Sequence, residues 1–494
     1  MIFSLLNLIN DDIVAIIRFI GVALLVLLML YQKVHVSKCG RGLYVELPYP
    51  KKNSGYIDTI KSLTSKDLPY NLLDWAKDIP GSTYQLRVPL LPYPMFVVTG
   101  DHEVCRKVLS DRSSPKTRGV ETLRILHDGG DDLFTSEGTF WKHSRKGIAP
   151  AFSSNNVKNM NHIAIKKTEE FTKKLNELSM SGESFDVGHE MLHLTLSIIS
   201  EAAYQYPISL NERIMFLEEL DIVFTESRKG RIPLRWKFGS YIPEVRRARE
   251  GGKKLVAFAL KILAAYRQLE SPLKGTVIDL IACNKNYKDD KERASDILIL
   301  LIAGHDTTAF SLAWTLLELA KNQSEQAKLQ YELRCLPEEI RCSSSVLSCV
   351  LKESQRLRPV LPIGSCRIVM QDIVVKKKGI KEKDILIPKG SAVMCSTILL
   401  NYNPNYHMDP YSFKPSRWID PSEDSLASLM PFSLGRRNCI GQPLAKAEMV
   451  NVLSKLCTDY DFHVHNEGKE ALVLTHQLVG ARLYASRIVK DPTG

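Results

Sequence analysis

The sequence contains no pair of closely spaced cysteines. Ten cysteines are scattered over its 494 residues, and none of them forms a C-x-x-C pattern. Disulfide-stapled secreted domains and zinc sites both show repeated cysteine spacings. The pattern therefore argues against a zinc site and favours a reducing compartment, in which thiols stay free.

The sequence also lacks a segment in which basic and aromatic residues alternate, as a groove for a nucleic-acid strand requires. Aromatic residues make up only 8% of the chain, whereas its formal net charge is +11. Net charge indicates the class of partner and not the fold. We therefore expect no nucleic acid as a partner, and expect an anionic membrane surface or an acidic protein instead.

The composition shows neither the bias of a disordered chain nor that of a fibrous one. Hydrophobic residues make up 44% of the sequence, which is enough for a large buried core. A prior of about 150 residues per domain suggests three domains, although large single domains also occur at this length.

An apolar run at residues 13–31 is interrupted by a single charge, Arg18. At 1.5 Å per helical residue, about 19 residues just span a bilayer core. Two acidic residues precede the run and basic residues follow it: Asp11 and Asp12 before, Lys33, Lys38 and Arg41 after. The positive-inside rule therefore predicts a single-pass anchor with the main domain in the cytosol.

This prediction divides the chain into a short luminal N-terminus (1–12), the anchor (13–31), a linker (32–50) and one large domain (51–494). A cleaved secretory signal is the alternative interpretation. The run is long for a signal, no small-residue cleavage site follows it, and its positive charge lies on the wrong side.

A dense group of basic residues between 228 and 249 has two interpretations. It is either a solvated charged face or a loop and helix that rest on anionic membrane lipid.

The stretch from Phe432 to Gly441 has the composition of a thiolate site. Gly435 and Gly441 bracket Cys439, and glycines let backbone N–H groups approach a sulfur because they have no Cβ and tolerate positive φ. A helical pattern follows Pro443, so Cys439 lies just before a helix N-terminus, whose dipole favours a thiolate. These features indicate a buried anionic sulfur that can act as an axial ligand to iron.

A continuous apolar pattern predicts a long buried helix from about Ala294 to Lys321. Its centre reads A-G-H-D-T-T over residues 303–308. Glycine and threonine are unfavourable inside a helix, and polar residues that break a local rule inside a core indicate a functional site. The alternative is structural, with threonines that hydrogen-bond to the preceding turn.

Two further pairs have helical spacing. Trp141 and Arg145 are at i and i+4, where an indole N–H and a guanidinium can both donate to a carboxylate. Glu353 and Arg356 are at i and i+3 within an apolar segment, which predicts an ion pair on one helix face.

These four motifs, in this order, resemble the signatures of the cytochrome P-450 family: W-x-x-x-R, A-G-x-D/E-T-T/S, E-x-x-R and F-x-x-G-x-R-x-C-x-G. The resemblance implies a mainly α fold with a large helical domain and a small β-rich lobe. It also implies haem b as the cofactor, with Cys439 as the ligand of the iron. Other residues expected to contact the cofactor are Trp141, Arg145, Arg367, Phe432, Gly435, Arg437 and Gly441.

The same resemblance assigns roles in the reaction. Thr307 would hydrogen-bond dioxygen, and Asp306 would relay protons from solvent. Glu353 and Arg356 would be joined by Arg417 in a structural triad that locks the region presenting the cysteine. Residues expected to line the substrate pocket are Ala303, Gly304, Val360, Leu361 and Ile363.

The implied activity is insertion of one oxygen atom from O2 into an apolar small molecule, such as a lipid, sterol, terpenoid, carotenoid or xenobiotic. Electrons would come from NADPH through a flavoprotein reductase, with cytochrome b5 as a further candidate donor, at the endoplasmic reticulum membrane. Ala303 stands where fatty-acid ω-hydroxylases of the family often have a glutamate that binds haem covalently. The His305-Asp306 pair still favours the branch holding fatty-acid and carotenoid-ring hydroxylases.

Two alternatives of other classes keep the thiolate site. One is a haem-thiolate isomerase or lyase that acts on hydroperoxides without a reductase, and the other is a non-catalytic haem sensor. Asp306 and Thr307 argue against the isomerase, because that reaction needs no proton relay.

Overall fold

The computed structural model describes residues 47–50, 59, 61–62, 65, 67–86, 95–127, 129–229, 239–375 and 384–488. The predicted anchor at 13–31 lies outside these residues. The chain forms two compact units. One comprises Met1–Thr117 and Ser365–Leu399, and the other comprises Arg118–Gly364 and Leu400–Gly494.

The first unit is built on a four-stranded sheet with the order β1-β2-β7-β4. Its strands are β1 (Thr83–Leu86), β2 (Phe96–Thr99), β4 (Ser365–Ile368) and β7 (Ala392–Cys395). The β2–β7 pair is parallel, and the β1–β2 and β4–β7 pairs are antiparallel.

Two helices and a second strand pair complete the described part of this unit: α1 (Leu68–Ala76), α2 (His102–Ser110), β5 (Ile373–Val375) and β6 (Ile385–Ile387). α2 begins where Asp101 accepts hydrogen bonds from the N–H groups of Glu103 and Val104. An acidic N-cap of this kind satisfies backbone donors that have no partner inside the helix.

The second unit is helical. Its helices are α3 (Gly138–Ile148), α4 (Ser154–Ser181), α5 (Val187–Tyr204), α6 (Leu210–Lys229), α7 (Pro243–Arg267), α8 (Val277–Cys283), α9 (Asp290–Lys321), α10 (Gln323–Cys335), α11 (Ser345–Leu357), α12 (Thr397–Asn401, which contains the boundary between the units), α13 (Glu423–Ser428) and α14 (Gln442–Asp459). Short 3-10 turns connect several of them, among them Arg118–His127, Pro415–Trp418 and Gly435–Arg437.

The core of the second unit surrounds α9. This helix packs along α5 and also contacts α7, α11 and α14. It begins at Asp290, earlier than the apolar pattern alone predicted, because Asp289 caps it by accepting from the N–H of Glu292 at 2.9 Å. Acidic residues in its first turn and Lys321 in its last turn complement the helix dipole.

Two small sheets lie in the second unit. Strands β3 (Phe185–Asp186), β8 (Tyr460–Asn466) and β11 (Arg482–Arg487) form an antiparallel sheet with β11 in the middle. Strands β9 (Lys469–Leu472) and β10 (His476–Val479) form an antiparallel hairpin. The expected mainly α class with small β sheets is thus confirmed.

Within the described residues, α9 is the one helix long and apolar enough to cross a membrane. Since 78% of its apolar window is buried inside the protein, its composition reflects its place in the core.

Candidate functional site

The loop that carries Cys439 is closed by its own backbone. The N–H of Cys439 donates to the carbonyl of Phe432 at 2.9 Å, and the N–H of Asn438 donates to Gly435 at 3.1 Å. Ser433 has φ 57° and Gly435 has φ 73°, both in the left-handed region. The positive φ predicted as tolerated at Gly435 is therefore used by this tight turn.

The sulfur of Cys439 lies at the start of α14. Gly441 is the N-cap of that helix, with φ −83°, so the positive φ allowed for at this glycine is not used. The backbone N–H groups of Gly441 and Gln442 lie near the sulfur and act to lower the pKa of the Cys439 thiol. Gly441 thus serves the site through its N–H, at the helix end where an anion is favoured.

Cys439 is exposed to solvent, unlike the buried sulfur predicted from the sequence, although protein atoms crowd its thiol. This crowding raises its pKa, while the Gly441 N–H, the positive charge of Arg145 and the Gln442 N–H act to lower it. A thiol surrounded by donors and a cation is suited to bind a metal as the thiolate, since coordination removes its proton.

Helix α3 brings the ring of Trp141 and the guanidinium of Arg145 to this loop. Trp141 is buried, and the guanidinium of Arg437 stacks on its ring with 3.7 Å to the ring centre. Arg437 also forms an ion pair with Glu137. Arg145 donates from its two terminal nitrogens to the backbone and side-chain oxygens of Asn438, at 2.9 and 2.6 Å. Arg145 is therefore engaged by the cysteine loop itself, a partner that the sequence did not indicate.

The centre of α9 has an open face in an otherwise buried helix. Ala303 is exposed and Thr307, one turn later, is partly exposed, whereas Ile302, His305 and Asp306 are buried. The hydroxyl of Thr307 donates to the carbonyl of Ala303 at 2.9 Å. Leu300, Gly304 and Ser311 are also partly exposed, so the exposed residues recur every three or four positions and indicate a space beside one face of the helix.

Gly304 is partly exposed and also lies close to Ile199 on α5. A Cβ on this residue would lie 2.9 Å from Cγ1 of Ile199 on α5. The glycine therefore permits the close approach of α5 and α9, and its place in the substrate pocket stays a prediction.

Asp306 is buried, and its carboxyl accepts one side-chain hydrogen bond, from the hydroxyl of Thr475 at 2.6 Å. Burial raises the pKa of Asp306 to about 6, and the Thr475 hydrogen bond acts to lower it. A carboxyl with a pKa in this range can exchange a proton near neutral pH.

The segment after α11 holds the other predicted pocket residues. Leu361 is exposed, and Val360 and Ile363 are partly exposed. The N–H of His476 donates to the carbonyl of Val360 at 2.8 Å. This bond joins the start of β10 to the segment predicted to line the pocket.

Glu353 on α11 accepts five hydrogen bonds, each 2.9 Å long. The donors are Nε and Nη2 of Arg356, Nε of Arg417, the backbone N–H of Lys414 and Nε1 of Trp418. Glu353 and Arg356 are fully buried. The structure thus brings the three predicted residues together and adds two donors from the same 3-10 region.

Arg367 lies in the first unit, on β4, where its Nη1 donates to the carbonyl of Cys366 at 3.0 Å. In the basic region, Arg231, Arg235 and Lys237 lie outside the described residues. Arg247 is paired with Glu219 at 2.6 Å.

Asp296 was not singled out from the sequence. This fully buried carboxyl on α9 accepts from the hydroxyls of Ser144 and Tyr287 and from the N–H of Leu133 at 2.6 Å. Ser144 lies between Trp141 and Arg145 on α3, so Asp296 ties that helix to α9. An acidic residue directly before the apolar run of α9 was the available signal, because buried charges need partners.

A metal cofactor at Cys439 needs few protein ligands. The described residues contain no cluster of three or more His, Cys, Asp or Glu side chains able to hold a metal ion. A single thiol with N–H donors and nearby arginines fits an iron that carries its own equatorial ligands and acidic substituents, as haem does. The site and the helical fold together define a haem-thiolate protein.

Comparisons with known proteins agree with the assignment to the haem-thiolate class. The family model described as Cytochrome P450 matches residues 48–482. Cytochrome P450 52-M1 of Starmerella bombicola is 25% identical over 465 residues, which are 86% of this chain and 85% of that protein. Cytochrome P450 4F11 of Homo sapiens is 29% identical over 359 residues, or 66% of this chain and 67% of its own. A crystal structure of the cytochrome P450DA heme domain matches with a TM-score of 0.75 at 20% identity, covering 90% of this chain and 99% of that one.

The chain belongs to the cytochrome P450 family. It is a haem-thiolate monooxygenase, and the family implies an organic substrate, dioxygen and a redox partner.

Proposed function

We propose that this monooxygenase oxidises an apolar small molecule, such as a fatty acid, with electrons from NADPH that a flavoprotein reductase delivers. The observation that carries the proposal is the open turn of α9 at Ala303 and Thr307, next to the buried Asp306. An apolar surface beside a hydroxyl and a carboxyl suits an apolar substrate and controlled proton delivery.

Bound haem would supply the redox chemistry that cleaves dioxygen. Cys439 would ligate the iron. The N–H groups of Gly441 and Gln442 would then stabilise charge on the sulfur, which tunes the ligand without replacing it. Phe432 and Gly435 would shape the loop that presents the sulfur.

The acidic substituents of the haem would accept hydrogen bonds from three side chains: Trp141, Arg145 and Arg437. Arg437 is held over Trp141, so its position is set before the cofactor binds. Arg145 also holds the cysteine loop through Asn438. The corresponding role of Arg367 rests on the family resemblance alone.

Proton delivery at the open turn of α9 would depend on Asp306 and Thr307. The hydroxyl of Thr307 donates a hydrogen bond to the backbone carbonyl of Ala303. The hydroxyl oxygen can therefore still accept a hydrogen bond from a group at the open turn. Asp306 would relay protons from solvent, since its pKa of about 6 allows exchange near neutrality.

For the cellular setting we propose a single-pass protein of the endoplasmic reticulum. Residues 1–12 would be luminal, 13–31 the anchor, 32–50 a linker and 51–494 the cytosolic catalytic domain. Basic residues between 228 and 249 would contact anionic lipid, and cytochrome b5 is a further candidate electron donor.

The first test is spectroscopic. Reduced full-length protein with carbon monoxide should show the long-wavelength Soret band of thiolate-ligated haem, and Cys439→Ser should lose it. Exposed Cys342 offers a matched control, since Cys342→Ser should keep the band. A band that survives in Cys439→Ser would rule out this ligand.

The second test concerns the reaction. With NADPH and a purified reductase, a lipid that shifts the wild-type Soret band should yield an oxygenated product that carries one atom from labelled dioxygen. Product formed from a lipid hydroperoxide without NADPH or reductase would instead support the isomerase alternative.

A further inference from the structure

The carboxyl of Asp306 is held by a residue far away in sequence. Thr475, in the turn between β9 and β10, donates its hydroxyl to Oδ2 of Asp306 at 2.6 Å. Both side chains are buried, with 4% of Asp306 and 1% of Thr475 exposed. Loss of a hydrogen bond between two buried groups is costly, because water cannot take the place of either partner.

The backbone fixes the position of this hydroxyl. The N–H of Val473 donates to the carbonyl of Thr475 at 3.1 Å, and the N–H of His476 donates to Val360 at 2.8 Å. Nε1 of Trp314, on α9, donates to the carbonyl of His476 at 3.0 Å. Thr475 is therefore attached both to the helix that carries Asp306 and to the segment after α11.

The charged form of Asp306 depends on this one donor. Burial raises the pKa of Asp306 to about 6, and the Thr475 hydrogen bond is the cause that opposes it. The neighbouring titratable groups face elsewhere. Nδ1 of His305 lies 3.0 Å from the Leu301 carbonyl, and His476 stacks on Trp314 and contacts Glu470.

We propose that Thr475 is a positioning residue for proton delivery: it holds Asp306 in one orientation and couples it to the pocket wall at Val360. The proposal rests on the proposed role of Asp306 as the proton-relaying acid. Because Thr475 occupies Oδ2, exchange of the proton falls to Oδ1. A substrate that displaces the Val360 segment would also displace the support of the acid.

Three variants separate this role from simple packing. Thr475→Val removes the hydroxyl and keeps the shape, while Thr475→Ser keeps the hydroxyl. Thr168→Val is the matched control, since Thr168 on α4 is equally buried and donates to the Ala164 carbonyl at 2.7 Å, away from Asp306. If packing alone mattered, Thr475→Ser would have the larger effect, because it removes a methyl group, whereas Thr475→Val keeps the shape of the side chain.

The direct measurement is the protonation of Asp306 in the full-length holoenzyme. Difference infrared spectroscopy follows the C=O stretch of the protonated carboxyl, which is assigned by its loss in Asp306→Asn. Loss of a hydrogen bond to the ionised form should raise the pKa of Asp306 to about 7 in Thr475→Val. Thr475→Ser and Thr168→Val should titrate as wild type. An unchanged titration in Thr475→Val would overturn the proposal.

The second measurement is coupling, the product formed per NADPH oxidised, with dodecanoic acid as the probe. The pH at which coupling is half-maximal should rise in Thr475→Val by as much as the infrared titration does. A shifted titration with an unshifted coupling profile would also overturn the positioning role. A shifted titration in a protein whose wild type forms no oxygenated product would contradict the proposed function and leave the Thr475–Asp306 linkage standing. If Thr475→Val does not fold, Thr475→Ala takes its place in both measurements.

Discussion

The substitution Glu353→Gln tests how the triad region is held together. Glutamine keeps the length and shape of the side chain but removes its charge and turns one acceptor oxygen into an NH2 donor. The five donors around Glu353 form two groups, with three on Oε1 and two on Oε2. Whichever oxygen the NH2 group replaces, at least two of the five donors therefore lose their acceptor.

The size of the effect follows from these contacts. The less costly placement puts the amide nitrogen at Oε2, which leaves Nε of Arg356 and Nε1 of Trp418 without an acceptor. Each buried unsatisfied donor costs about 1–3 kcal/mol. Removing one partner of a buried ion pair costs about 3–5 kcal/mol by itself. We therefore expect Glu353→Gln to lower the free energy of unfolding by roughly 4 kcal/mol.

Urea unfolding of the full-length holoenzyme, followed by tryptophan fluorescence and by the Soret band, measures this loss. The matched control is Glu339→Gln, an exposed glutamate, which should change stability by less than about 0.5 kcal/mol. A loss below about 1 kcal/mol in Glu353→Gln, at an unchanged m value, would show that solvent reaches the region and that the five hydrogen bonds are not a buried network.

Two further perturbations have defined outcomes. Burial raises the pKa of Asp296 to about 7, with the nearby Asp132 adding to the shift. The unfolded chain therefore releases this proton at lower pH than the folded chain, so the stability of wild type relative to Asp296→Asn should fall by roughly 3 kcal/mol from pH 4 to pH 7 in unfolding titrations. A pH-independent difference would contradict the assigned cause. Thr307→Ala should keep haem and substrate binding but divert electrons to hydrogen peroxide, and Thr307→Ser should restore product per NADPH, whereas equal coupling in all three proteins would remove Thr307 from the mechanism.

Local patterns predicted the elements that carry the site. The apolar run before Ala303 predicted α9, and the glycine-bracketed Cys439 predicted a turn before a helix, because both depend on neighbours in sequence. The ion pair of Glu353 and Arg356 followed from helical spacing in the same way. Such features need no knowledge of which distant segments meet.

The partners of these residues could not be predicted, because they come from remote parts of the chain. Thr475 is 169 residues from Asp306, and Asn438 is 293 residues from Arg145. No spacing rule joins such positions. Gly304 shows the same limit: the family resemblance assigned it to the substrate pocket, but its close packing against Ile199 of another helix could not be inferred from neighbours in sequence.

The contact between Gly304 and Ile199 means that a substitution at one of these two positions restricts which residues the other position can accept. A side chain at 304 would have to be matched by a smaller one at 199, because its Cβ would come within 2.9 Å of Cγ1. Conversely, trimming Ile199 would let α9 accept alanine at 304 and shift against α5. The width of the open turn at Ala303 could therefore be altered through Ile199, a residue of the neighbouring helix α5.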